Sequence, residues 1–149
     1  MRPRSVCYGW GVTTTIDPGD FDSFVVVADL VVALRRHTME RGVDVIASVA
    51  APPGRHELRI VARPGGHVVL VVRYDDLTLS RRNVLAEALV QRGWDADEDR
   101  EGATRRFPPG TEHTAVAFEV LAVITLGGAP AEPRDVFVVD ATGAPVALD

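Results

Sequence analysis

Lysine is missing from this chain: all 16 basic residues are Arg, set against 21 acidic ones for a formal net charge of -5. The arginines come as scattered pairs, Arg35-Arg36, Arg81-Arg82 and Arg105-Arg106, with acids near by at Asp29, Asp75-Asp76 and Asp97 to Glu101. A nucleic-acid surface needs a dense, one-sided run of cations that displaces counterions from phosphates. No nucleic-acid partner is therefore expected, and Arg in every basic position, with abundant Ala, Val and Gly, reads as GC-rich coding. Cysteine is nearly missing too. With Cys7 alone no intrachain disulfide can form, which makes the cytoplasm the natural compartment.

Long apolar runs are also lacking. The best of them, Phe24 to Leu34 and Ala115 to Leu126, carry Asp29 and Glu119 and are shorter than a membrane span, so they read as core helices and no membrane partner is expected. The basic start Met1-Arg2-Pro3-Arg4 is followed by Gly9, Thr13 to Thr15 and Asp17, which interrupt what would have to be a signal-peptide core.

Clustered chemistry is scarce as well. The four His residues are dispersed. His37 and Glu40 stand at i and i+3 near a helix end, where a cation beside a solvated neighbour accounts for them. His56 and His67 flank a hairpin and read as solvated turn residues. Cys7 lies in an apolar strand and reads as a packed thiol. Gly9-Trp10-Gly11 has no helix immediately behind it and does not make a phosphate loop. Asp75-Asp76 and the run Asp95 to Glu101 lack the ligand spacing of a calcium loop. No catalytic residue, cofactor or metal is expected.

What is present is the raw material of a core. With 149 residues, 46% of them hydrophobic and 25% charged, the chain suits one domain, residues 1–149, that removes roughly two-thirds of its unfolded surface from water. Val6, Tyr8, Trp10 and Val12 alternate as on a strand from Ser5 to Ile16. A first helix then runs from a cap at Asp20 to Arg41, stopped by Gly42, with Phe24, Val27, Ala28, Val31 and Leu34 on its inner face and Asp22, Asp29 and Arg36 opposite. Val43 to Val49, Glu57 to Ala62 and His67 to Arg73, separated by Pro and Gly clusters, form an antiparallel meander. The last of these is so continuously apolar that both its faces should be covered. A short second helix, capped by Ser80 and striped by Val84, Leu85, Ala88 and Leu89, ends at Gly93. A hairpin joins Trp94 to Asp97 with Thr104 to Phe107. A third helix, capped by Thr111 and closed by Gly127-Gly128, should be the most buried. A last hairpin pairs Val136 to Val139 with Pro145 to Leu148. The class is α+β: an antiparallel sheet packed against two or three helices.

This order, together with Leu89-Val-Gln-Arg-Gly-Trp94, the acidic turn, Arg105-Arg-Phe-Pro108, and Ala115 to Leu126 leading to Pro133-Arg-Asp-Val136, resembles the type III secretion chaperones and the related YbjN-like domains, in particular their TY-Chap branch. The likeness covers about residues 20 to 140 in element order and Leu89 to Val136 in motif. It implies a non-enzymatic, often dimeric domain that holds extended segments of client proteins on apolar faces of its first helix and sheet.

The apolar belt of the first helix is wider than one core contact requires, which gives the residue reading of a homodimer and of a peptide site. The candidates are Tyr8, Trp10, Phe21, Phe24, Val26, Val31 and Ala33, set beside an unpaired strand edge to which an extended segment could add. Two alternatives stay open at this point: a small enzyme or ligand-binding domain with a pocket between the first helix and the sheet, and a structural or regulatory subunit.

Overall fold

Period-two runs of β-branched residues and period-3.6 apolar stripes partition the chain as alternating demands for a sheet and for helices that cover it. The computed structural model describes residues 13–99, 101–126 and 132–148. In chain order the elements are β1 (Thr14–Ile16), α1 (Ser23–Arg41), β2 (Val45–Val49), β3 (Glu57–Ala62), β4 (Val68–Arg73), α2 (Leu79–Gln91), β5 (Asp95–Ala96), β6 (Gly102–Phe107), α3 (His113–Ile124) and β7 (Arg134–Asp140). The strands make one seven-stranded antiparallel sheet in the order β1-β7-β2-β3-β4-β6-β5. The expected α+β architecture is the observed one.

The meander β2-β3-β4 forms from local turns, with Val45 opposite Ala62 and Ala62 opposite Val68. The last strand then inserts between β1 and β2, with Val136 opposite both Thr14 and Val49. This closing step joins residues far apart in the chain, Val49 with Val136 and Thr14 with Val136, and no local signal specifies it. Beyond β7 the chain folds back, but the expected hairpin contracts to a single bridge, Val139 with Pro145, and the Val146 N–H donating to the Val138 carbonyl at 3.0 Å. The Asp140 N–H donates to the Ala144 carbonyl at 2.9 Å on the other side of the bridge, so Pro145 sits where the pairing needs no N–H. Most of the expected first strand, with Cys7, Tyr8 and Trp10, lies outside the described residues, as do Gly127 and Gly128.

Helix α1 ends as its glycine requires: Gly42 sits at φ 71°, in the left-handed region, and its N–H bonds the Thr38 carbonyl at 2.9 Å. The starts of the helices differ from expectation. Asp22, not Asp20, is the N-cap position of α1, and Asp20 instead accepts the Asp22 N–H at 3.1 Å. Thr78, not Ser80, caps α2 by accepting the Arg81 N–H. Its extended backbone (φ -63°, ψ 156°) is the cap geometry, whereas Ser80 is already inside the helix. Glu112 precedes α3, and the Thr111 hydroxyl turns back to the Pro108 carbonyl at 2.7 Å. Along α2 the buried residues are Leu85, Ala86 and Leu89, with Val84 exposed, so the stripe is rotated by one position.

Val27, Leu30, Val31 and Leu34 of α1 join Val45, Ala47, Ile60, Leu70 and Val138 of the sheet, and Val116, Val120 and Val123 of α3, in one buried cluster. Burial alternates along β2, β4 and β7. The residues between, Ile46, Val61, Val69, Val71, Phe137 and Val139, are half-buried and stand outside the cluster. The expectation that β4 is covered on both faces is thus corrected. Its outward valines shield one another across neighbouring strands, at the spacing of a pleated sheet, and are half-buried without joining the buried cluster.

Candidate functional site

Between α1 and the edge strand β1 lies a cleft of about 460 Å³. Val26, Asp29, Leu30, Ala33 and Arg36 line it from the helix; steps of three and four residues place them on one face. Thr13 and Thr14 form the opposite wall, and Leu148 closes the end. Val32 adds apolar surface at the lip, 41% exposed. Val26, Leu30 and Ala33 give the lining apolar surface, while Asp29 and Arg36, seven residues apart and so about two turns, add one charge of each sign.

The wall that Thr13 and Thr14 provide is a sheet edge. β1 pairs only with β7, so its other side presents backbone N–H and C=O groups without a strand partner among the described residues. An unpaired strand edge is a template for another extended segment. Thr14 and Ile16 point to the helix side of the sheet, Thr14 half-buried and Ile16 fully buried, so the cleft continues the core outward to that edge.

Of the residues singled out in the sequence, Val26 and Ala33 meet in this cleft. Phe21 is fully exposed just before α1, and Phe24 is half-buried against the core. Val31 is corrected: it is 0% exposed, pointing into the sheet on the same face as Val27 and Leu34, and cannot touch a partner. Tyr8 and Trp10 lie outside the described residues. Leu30, Val32, Thr13, Thr14 and Leu148 were not singled out. Leu148 could not be, because nothing local ties the chain end to α1.

Among the described residues no group of three or more His, Cys, Asp or Glu side chains could hold a metal ion, and no helix is long and apolar enough to cross a membrane. His37 is half-buried and His67 exposed, but His56 is not the solvated turn residue expected. It is 4% exposed, with Nε2 2.6 Å from the Val123 carbonyl oxygen.

No family model, no curated protein and no solved structure matches this chain. The fold is α+β, and the cleft lies beside a sheet edge that has no strand partner among the described residues.

Proposed function

We propose that this chain is a non-enzymatic, chaperone-like domain that binds extended segments of a client protein, acting in the cytoplasm as a homodimer. The observation that carries the reading is the cleft along α1, with Val26, Leu30 and Ala33 in its lining, beside the edge of β1 that has no strand partner among the described residues. A client segment added antiparallel to β1 would obtain its affinity from main-chain hydrogen bonds. Alternate side chains would settle on Val26, Leu30 and Ala33. Selectivity for sequence would be low, since backbone pairing is common to all residues except proline. The resemblance to secretion chaperones points the same way. The interior between α1 and the sheet is filled by Val27, Val31 and Leu34, which favours the groove over a small-ligand pocket at that place.

The test is fluorescence anisotropy with labelled extended peptides that alternate Val or Ile with Thr. Binding should be lost with Val26→Glu and with Ala33→Glu while circular dichroism is unchanged. N-methylation of alternate peptide nitrogens should also abolish it. Val31→Glu should unfold the protein. Binding indifferent to Val26→Glu and to N-methylation, or a failure of the whole panel to bind, overturns the reading. For the dimer, which would bury about 1,200 Å² or more in total, light scattering at micromolar concentration should give twice the 16.1 kDa of the chain.

A further inference from the structure

Chain direction is fixed on both walls of the groove. Ile16 pairs with Arg134 at the start of β7. Helix α1 follows from there to Arg41, whose guanidinium lies 3.2 Å from the Asp140 carboxylate at the end of β7. The helix therefore runs with β7 and against β1. A segment added antiparallel to β1 runs the same way as α1, with its amino end beside Val26 and its carboxyl end beside Ala33 and Arg36.

The lining charges are ordered along that direction. Asp29 comes first and Arg36 second, both exposed, about 10 Å apart along the helix at 1.5 Å per residue. Leu30 and Ala33 lie between them in the same lining. The Asp29 carboxylate has no hydrogen-bond or ion-pair partner among the described residues. Arg36 already interacts within the chain, and its five N–H donors let the guanidinium serve a further acceptor. In a strand every second side chain faces the helix, and positions i and i+4 stand about 13 Å apart, a spacing that the flexible ends of Lys and Glu match to the two helix charges. Position i+2 then falls between the charges, on Leu30 and Ala33.

We propose that the groove selects client segments with the order cation, apolar, anion at alternate positions, read from amino to carboxyl end, and holds them antiparallel to β1. The cation meets Asp29, the apolar side chain settles on Leu30 and Ala33, and the carboxylate meets Arg36. The reverse order sets like charges together in the antiparallel arrangement. It avoids this only by pairing in parallel, the less stable ladder. This specificity rests on the strand-addition reading of the groove and adds to it a direction and a charge pattern.

The experiment is fluorescence anisotropy on the intact protein at low ionic strength, with two end-capped peptides of one composition, Thr-Lys-Thr-Val-Thr-Glu-Thr and Thr-Glu-Thr-Val-Thr-Lys-Thr. The first should bind about tenfold more tightly, the scale of two exposed ion pairs exchanged for two like-charge contacts, and added salt should shrink the difference. Asp29→Asn should reduce the ratio to about threefold. Asp29→Arg combined with Arg36→Asp should invert it, with circular dichroism unchanged. A nitroxide on the amino end of the first peptide should broaden the amide resonances of Ser23 to Val26 and spare those of Thr38 to Arg41. Equal binding of the two peptides, a ratio that Asp29→Asn leaves unchanged, or broadening at the far end of α1 overturns the direction and charge pattern while strand addition stands. Binding of neither peptide overturns both.

Discussion

Trp94 donates its indole N–H to Oε2 of Glu119 at 2.8 Å, and both residues are buried. The same carboxylate receives Arg92 through two bonds of 3.0 Å and lies 3.1 Å from Arg105. Arg105 in turn donates to the Arg92 carbonyl at 3.1 Å and lies 4.8 Å over the ring of Phe107. A buried carboxylate without partners would be strongly unfavourable, and here four donor contacts from the end of α2, the loop behind it and β6 converge on α3. The short motif Arg92-Gly-Trp94, followed by Arg105-Arg-Phe107, is therefore one structural device that fastens α2 and the second hairpin to the third helix.

Removing the carboxylate should be costly because Trp94 cannot regain water. Arg92 and Arg105, whose side chains are 32% and 33% exposed, can do so in part. Glu119→Ala should lower unfolding free energy by about 3 kcal/mol, the lower end for breaking a buried pair. Glu119→Gln, which keeps one acceptor, should cost roughly 1–2 kcal/mol. Urea unfolding measures both, and a loss below about 0.5 kcal/mol for the alanine variant would show that the cluster does not hold the helices together.

Acid should unfold the protein in two stages. The His56 pKa is lowered by burial and by Arg134 and Arg55. The unfolded state therefore takes up a proton that the folded state refuses, and stability falls as pH drops below about 6.5, the ordinary value. At Glu119 burial would raise the pKa, but the hydrogen bonds from Arg92 and Trp94 and the charges of Arg92 and Arg105 outweigh it and hold it low. Asp140 is held low first by the Thr142 hydroxyl, then by the backbone amides of Thr142 and Ala144 and by Arg41, with burial opposing. These depressed carboxyl pKa values contribute stability above the unfolded carboxylate range, near pH 4, that is lost as pH falls through their folded values. A series of thermal midpoints between pH 8 and 3 should decline first from about pH 6.5, a limb that His56→Gln removes, and again below about pH 4. A midpoint flat from about pH 7 to 5 would contradict the first stage.

The elements were legible where the pattern is local. The alternation in Glu57 to Ala62 and the stripe Val27, Val31, Leu34 specify a strand and a helix within their own span, and both lie where expected. What lay outside the sequence was the contact order of the last strand. That β7 separates β1 from β2 depends on core closure, not on any turn, so neither the cleft wall nor the position of Leu148 could be read. His56 was misread for a related reason: its neighbours suggest a turn, and the carbonyl that buries it belongs to α3, 67 positions away. The groove was half legible. Val26 and Ala33 follow from the excess width of the apolar belt, whereas Val31 sits on the same belt and only packing against the sheet separates it from them.

Gly102 offers a test of the β4–β6 contact. Sequence alone places it in the acidic turn, but it is the first residue of β6, buried and paired with Arg73. A Cβ there would lie 2.8 Å from the Val72 carbonyl oxygen and 3.4 Å from Oδ2 of Asp97. The first neighbour is main chain and cannot swing aside. The glycine is thus required by close approach of two strands and not by a left-handed turn. Its carbonyl also accepts the Tyr74 hydroxyl at 3.0 Å and the Asp97 N–H at 2.8 Å, so any displacement disturbs the 1% exposed Tyr74. Gly102→Ala should destabilise by roughly 1–3 kcal/mol, as overpacking does, and Tyr74→Phe by about 1 kcal/mol for the lost hydrogen bond. Because the hydroxyl bond depends on the close approach, the double variant should lose less than the sum of the two. Chemical denaturation of the four proteins in the cycle measures this coupling. Strict additivity would mean that β4 and β6 absorb the extra methyl without moving the Gly102 carbonyl.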